Sequence, residues 1–216
     1  SRGILHVDKK SELRKKIHEI NNSENLVIID RDLSINVQWG GFSQIRAMWL
    51  LLEESLKYLT PKEKIIFMSG SDFPIKSKLD IERHLKYFED TQFLKYFFID
   101  TINKDVARWE KYHRWDWRIF KTRGSILFKF NTVLIKIMTT LESKIRGKKS
   151  CRELPIALGS QWFSISKECI LELMNLRTQE FDSFFKTTLA PDELYFATLF
   201  SRSNFAKKNM EGGPFT

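Results

Sequence analysis

Pro191-Asp192-Glu193 sets a proline and two acids where a helix can begin. Proline is tolerated at the first helical position, and negative charge suits a helix N-terminus, so an ordinary helix start accounts for the run. The same place has a chemical use. Helix-terminal amides keep a carboxylate ionised, and a general base must be ionised to accept a proton. A second candidate lies in Ser69-Gly70-Ser71-Asp72-Phe73-Pro74, which breaks the apolar run Ile65 to Met68. Paired carboxylates at such a strand end would hold Mg or Mn through oxygen. Here there is one carboxylate, Asp72, a poor anchor for a metal and an equally good cap for the turn before Pro74. The literal Asp-x-Asp, Asp30-Arg31-Asp32, has an arginine that can pair with its own neighbours.

Trp109, Tyr112, Trp115 and Trp117 interleave with Arg108, Lys111, His113, Arg114 and Arg118. Aromatic faces with polar tips suit sugar rings, and basic groups suit anions. The mixture also suits single-stranded nucleic acid, a membrane surface, or a half-buried structural helix. His6 and His113 have no metal-type partners, so structural roles are expected. The two cysteines, Cys151 and Cys169, show no zinc spacing and read as reduced thiols, with a disulfide open.

These residues need a scaffold, and the chain is long enough to supply one. With 216 residues, one domain is expected, burying roughly 70% of its unfolded surface. Apolar residues at 42% and charged residues at 29% exclude a disordered or fibrous chain. The net charge of +9 favours anionic partners without choosing among them. No apolar run approaches the roughly 20 residues of a membrane span, and no signal peptide is visible. A cytoplasmic protein, peripheral to a membrane at most, is expected; a chain trimmed of its targeting segment would belong in the Golgi lumen.

Short apolar runs at Ile4 to Asp8, Leu26 to Ile29, Ile65 to Met68, Tyr96 to Ile99 and Gln161 to Ile165 read as strands. Helical patterns cover Lys10 to Ile20, Lys78 to Phe88, Asn131 to Ile145, Ser166 to Leu176, Thr178 to Leu189 and Pro191 to Phe200. A further helix follows the turn Trp39-Gly40-Gly41, with Ser43 as its cap and Ile45, Met48, Trp49, Leu52 and Leu56 on one face. Ser77 and Asp80 fit a capping box. The alternation indicates an α/β fold with a largely parallel sheet flanked by helices, whose ligands bind at the carboxyl ends of strands.

Five segments occur in one order: His6-Val7-Asp8-Lys9-Lys10-Ser11, Trp39 to Ser43, Ser69 to Ser77, Gly159-Ser160-Gln161-Trp162-Phe163 and Pro191-Asp192-Glu193. In that order they resemble the core-2/I-branching glycosyltransferases, which include β-1,6-N-acetylglucosaminyltransferases and peptide O-xylosyltransferases. The resemblance implies a GT-A-type fold and an inverting, metal-independent transfer from a UDP-sugar to a glycan or glycoconjugate hydroxyl. It implies no cofactor beyond the donor and no nucleic-acid partner. Peripheral membrane contact and a microbial role in polysaccharide synthesis are compatible with it.

By the resemblance, Glu193 matches the catalytic base, Asp8 the uracil-binding aspartate, and Val37, Gln38 and Trp39 a segment beside the donor sugar. Gln161 and Trp162 match a donor-side pair. Xylosyltransferases have Asp where this chain has Gln161, which turns the expectation towards N-acetylglucosamine. Asp72 stands at the degenerate metal motif on the donor side. Arg108, Trp109, Lys111 and Tyr112 fall on the acceptor side. The family's diphosphate-binding basic residues lie well beyond the Pro-Asp-Glu segment, and Lys207 and Lys208 are the nearest basic pair here. Relative to the family, the first strand and a C-terminal segment are expected to be missing. A non-catalytic nucleic-acid-binding or sugar-binding module is the alternative reading of the same charge and aromatics.

Overall fold

The computed structural model describes residues 2–20, 24–99, 107–117, 126–149 and 155–209; Arg118, Cys151 and residues 212–216 lie outside them. The order is β1 (Gly3–Leu5), α1 (Leu13–Ile20), β2 (Leu26–Ile28), α2 (Ser43–Ser55), β3 (Lys64–Ile66), α3 (Lys78–Tyr87) and β4 (Tyr96–Phe98). Then come α4 (Ala107–Glu110), α5 (Ile126–Arg146), β5 (Ala157–Gly159), β6 (Ser164–Ser166), α6 (Lys167–Leu176), α7 (Gln179–Phe185) and α8 (Tyr195–Ser201). Tight 3-10 turns cover Trp115–Trp117, Pro191–Glu193 and Asn204–Lys208. The chain is α/β. Among the described residues its strands form three two-stranded pairs: β1 with β2 is parallel, while β3 with β6 and β4 with β5 are antiparallel. The expected single, largely parallel sheet is therefore not seen in these pairings. Strand direction depends on partners distant in the sequence, such as Ile65 with Ile165 and Phe97 with Leu158, which local patterns do not encode.

The chain divides into two compact units. The first comprises Ser1–Tyr58, Asp100–Arg152 and Glu180–Asp192. Its core is built on α2, where Ile45, Met48, Trp49 and Leu52 are buried as their helical spacing predicts. Each such side chain, fully buried, is worth roughly 1.5–3 kcal/mol relative to leaving it exposed. Val7, Ile29, Ile135, Phe181 and Phe185 are also buried in this unit. One expectation changes. Ser43 is the first helical residue, not the cap; Phe42 holds the cap position without a side-chain bond. The orphan amide of Ser43 is met instead by the Asp116 carboxylate, with both oxygens at 3.2 Å.

The second unit comprises Leu59–Ile99, Glu153–Gln179 and Glu193–Thr216. Phe163, Ile165, Leu194, Tyr195, Phe196 and Phe200 are fully buried there. The β3–β6 pair is extended by Phe67, whose amide bonds the Phe163 carbonyl at 2.9 Å while the two rings stack at 5.2 Å. On the other side of β6, Phe93 and Ser164 exchange backbone bonds at 2.8 and 2.9 Å. β5 ends at Gly159, and of the strand expected over Gln161 to Ile165, Gln161 and Trp162 lie in the turn before β6. A side chain at Gly159 would meet the Lys95 carbonyl at 2.5 Å and the Ala197 Cβ at 2.9 Å, so α8 packs directly on the backbone there. Ser77 caps α3 as the spacing predicts, and Ser166 caps α6, accepting from the Asp80 and Cys169 amides respectively. Beyond Pro191 the expected single helix is a 3-10 turn followed by α8 from Tyr195.

Candidate active site

In the first unit, the loops after β1 and β2 run side by side. His6 Nε2 accepts the Ile35 amide at 2.9 Å, and the Lys9 amide reaches the Ile35 carbonyl at 3.1 Å. Arg14 on α1 locks them from below, donating to the Ile29 carbonyl at 2.7 Å, the Val7 carbonyl at 3.3 Å and the buried Ser34 hydroxyl at 2.6 Å. Asp8 is half-buried and accepts the Lys10 amide at 3.1 Å. The Lys10 ammonium pairs with Asp8 at 3.4 Å and donates to the Val37 carbonyl. Two residues expected to meet the donor, Asp8 and Val37, are thereby tied through one lysine. Burial lowers the His6 pKa, with Asp8 opposing and Arg14 assisting, so its acceptor form is favoured.

Gln38 and Trp39 are positioned by a relay. The Gln38 amide donates to the Ser43 hydroxyl at 2.8 Å, and that hydroxyl donates to Asp116 at 2.6 Å. Asp116 lies so close to Gly41 that a Cβ there would collide with its carboxylate. Gly40 has a left-handed φ of 76°, which glycine adopts without cost. Trp39, beside this turn, is 62% exposed. The Gly40 carbonyl then accepts the Ala190 amide at 3.0 Å. Arg108 reaches the Ala190 carbonyl at 3.1 Å, and its own carbonyl accepts the Leu189 amide at 2.9 Å. Ala190, at φ 46°, is thus held at both backbone groups immediately before Pro191-Asp192-Glu193.

The acceptor-side candidates separate. Trp109 is only 6% exposed, its ring against Phe184 at 6.3 Å, so it lies in the core. Tyr112 is half-buried beneath the Arg146 guanidinium at 4.8 Å, whereas Lys111 is exposed. Nearby, Arg114 grips Glu142 at 2.6 and 3.1 Å, which lowers the Glu142 pKa. Buried Lys149 bonds the Phe184 carbonyl and the Thr187 and Thr188 hydroxyls at 3.0–3.1 Å.

In the second unit, Asp72 and Trp162 meet across the sequence. Asp72 Oδ2 accepts the Ser69 amide at 2.6 Å and Trp162 Nε1 at 2.5 Å. These bonds, the Ser69 amide foremost, lower the Asp72 pKa. Gln161 beside it is half-buried. Glu193 is exposed, although Pro191, Asp192, Leu194 and Tyr195 around it are all buried. Lys207 and Lys208 are exposed on the last 3-10 turn. Lys208 lines a cavity of about 210 Å³ together with Lys62, Glu89, Asp90 and Glu168. Three carboxylates make that cavity unsuited to a diphosphate. Among the described residues no three His, Cys, Asp or Glu side chains gather as a metal would require. Asp30 and Asp32 are exposed in a turn closed by the Ser34 amide on the Asp30 carbonyl at 2.9 Å.

Sequence reasoning missed the residues that position others: Lys10, Arg14, Asp116 and Ala190. Only Gly40-Gly41 hinted at them, since adjacent glycines signal a backbone position that something approaches closely.

A family model described as Core-2/I-Branching enzyme matches residues 4–213. The chain is 26% identical over 199 residues to the human beta-1,3-galactosyl-O-glycosyl-glycoprotein beta-1,6-N-acetylglucosaminyltransferase, covering 90% of this chain and 41% of that protein. The bovine protein of the same name gives 26% over 199 residues, with the same coverage of 90% and 41%. A mouse protein with that name and the number 4 is 23% identical over 166 residues, covering 76% of this chain and 32% of its own length. The chain therefore spans less than half the length of these relatives. Because the family match runs from β1 past the Pro-Asp-Glu turn and takes in all five ordered segments, the chain belongs to the Core-2/I-Branching enzyme family.

Proposed function

We propose that this protein is a GT-A-type, inverting glycosyltransferase that moves a sugar from a UDP-sugar to a hydroxyl of a glycan or glycoconjugate. N-acetylglucosamine is the favoured sugar. The family and the names of its relatives support the reaction class. The observation that carries the mechanism is Glu193: an exposed carboxylate on a turn whose neighbours are buried and whose entry, Ala190, is held at both its amide and its carbonyl. A base so mounted keeps its position at the protein surface.

Glu193 takes the proton from the acceptor hydroxyl as that oxygen attacks the anomeric carbon. The bond to UDP breaks on the opposite face, inverting the centre. Asp8 accepts the uracil imide N–H, and Val37, Gln38 and Trp39 flank the donor sugar. Gln161 and Trp162 act on the donor side, with Asp72 holding Trp162. Developing charge on the diphosphate needs cationic donors. Lys207 is the better candidate of its pair, because Lys208 already faces carboxylates. The commitment of Asp72 Oδ2 to Ser69 and Trp162 supports metal-independent transfer. A screen of UDP-sugars, measuring UDP release with and without chelator, tests the reading. Turnover of UDP-N-acetylglucosamine that persists in chelator is expected; activity that vanishes with chelator sinks the metal-independent mechanism, and no release from any UDP-sugar sinks the transferase assignment.

A further inference from the structure

α5 is the longest helix among the described residues, 21 residues, or about 32 Å. It is apolar on two opposite sides. One side packs inward through Ile135 and Thr139, and its C-terminal turns are tied down by Glu142 to Arg114 and by the Ser143 hydroxyl to the Tyr112 amide. The other side carries Ile126, Phe130, Val133, Ile137 and Leu141, spaced 4, 3, 4 and 4 residues apart, so they form one stripe. All five are exposed, Ile126 at 84% and Phe130 at 60%. Leu127, Leu134 and Met138 widen the stripe and are exposed too. A folded protein rarely leaves so long a contiguous apolar face in water unless something covers it.

The charge beside the stripe says what covers it. Residues 126–149, the helix and its C-terminal flank, carry six basic side chains and one acidic one, more than half of the net charge of +9. Lys129 and Lys136 lie on one shoulder of the stripe by helical geometry, and Lys144 lies at its C-terminal end. Among the described residues none forms an ion pair with these three lysines, unlike Arg146 and Lys148, which pair with Glu142 and Glu110. A second copy meeting this face would set basic stripe against basic stripe. Nucleic acid would match the lysines but not the aliphatic stripe, which offers nothing to base edges or phosphates. An anionic lipid surface matches both: acyl chains for Ile, Leu, Val, Met and Phe, and headgroups for the lysines. The helix lies along such a surface and does not cross it. One side is committed to the protein, and among the described residues no helix is long and apolar enough to span a membrane.

We infer that the outer face of α5 docks the protein on an anionic membrane, embedding the Phe130–Leu141 stripe in the headgroup region. The inference is independent of the chemistry assigned to Glu193. The test is cosedimentation with phosphatidylcholine vesicles, with and without phosphatidylglycerol. The full chain is expected to bind the anionic vesicles well above the neutral ones. Lys129→Gln/Lys136→Gln/Lys144→Gln should weaken binding roughly a hundredfold, at about 1 kcal/mol per cation. Ile137→Glu/Leu141→Glu should abolish it without lowering the melting temperature, because both side chains point away from the core. Phe130→Trp should shift its fluorescence to the blue on adding anionic vesicles and not on adding neutral ones. Equal binding to both vesicle types, binding unchanged in the charge variant, or an Ile137→Glu/Leu141→Glu variant that dissolves a protein dimer while still binding vesicles would each overturn it.

Discussion

Ala190 has a positive φ of 46° with no glycine to relieve it, a conformation costing a non-glycine residue about 1–2 kcal/mol. Such strain persists only where the surroundings over-determine it, here by Gly40 on one side and Arg108 on the other. Three residues later stands Glu193. We predict that Glu193→Gln lowers transfer by about 10²–10⁴-fold, the range of a lost general base, while UDP still raises the melting temperature. Appreciable turnover by that variant removes Glu193 from the role. Arg108→Ala removes the donor to the Ala190 carbonyl and leaves the Glu193 side chain in the sequence. Its expected signature is a lower kcat at unchanged UDP affinity, partly recovered in Arg108→Lys. Loss of UDP binding instead would place Arg108 in the donor site.

At the scale of elements, the start of α2 is held by a residue 73 positions away. Asp116 satisfies the Ser43 amide and hydroxyl, and Ser43 in turn fixes the Gln38 amide. Removing a cap of this kind costs about 1 kcal/mol. Asp116→Ala is therefore expected to lower stability by about that amount and to raise KM for the UDP-sugar, because the Val37–Trp39 loop loses its anchor. Gly41→Ala should also destabilise, since its methyl would strike the Asp116 carboxylate. The two changes should be strongly non-additive: in the double variant the carboxylate clash is gone, and only the Gln38 carbonyl, at 3.2 Å, still crowds the methyl. Additive melting-temperature shifts would show that the contact does not exist in solution.

For the whole molecule, stability should depend on pH through His6. Its pKa is lowered by burial, so the unfolded chain binds the proton more readily than the folded one. The stability it contributes is therefore complete above the unfolded value of about 6.5 and is lost as pH falls through the lower folded value. Protonation also ends the acceptor role of Nε2 towards the Ile35 amide. A melting temperature that declines between about pH 7 and 5, with a smaller decline in His6→Gln, is the expected result. Identical profiles would exclude the residue. Asp72 has the same sign at lower pH: its lowered pKa gives stability present above the ordinary carboxylate value and lost below it. Buried Cys169 has its thiol pKa raised by burial and should resist alkylation until the protein unfolds.

Much of this was legible in the residues alone. Periodicity placed α2, α3 and α6 and the buried face of α2, because helix spacing and caps are local properties. The ordered segments placed the family, since each is a short run that survives being read in isolation. Periodicity also reported α5 as helical from Asn131, but a pattern of apolar spacing does not say whether the apolar face is covered. Only the tertiary structure decided that its outer stripe is bare, that Trp109 is in the core, and that Lys208 sits among acids. It alone paired Asp72 with Trp162 and Ser43 with Asp116, contacts spanning 90 and 73 residues. Such contacts form because packing brings distant hydrogen-bonding groups within reach, and no local sequence rule carries that information.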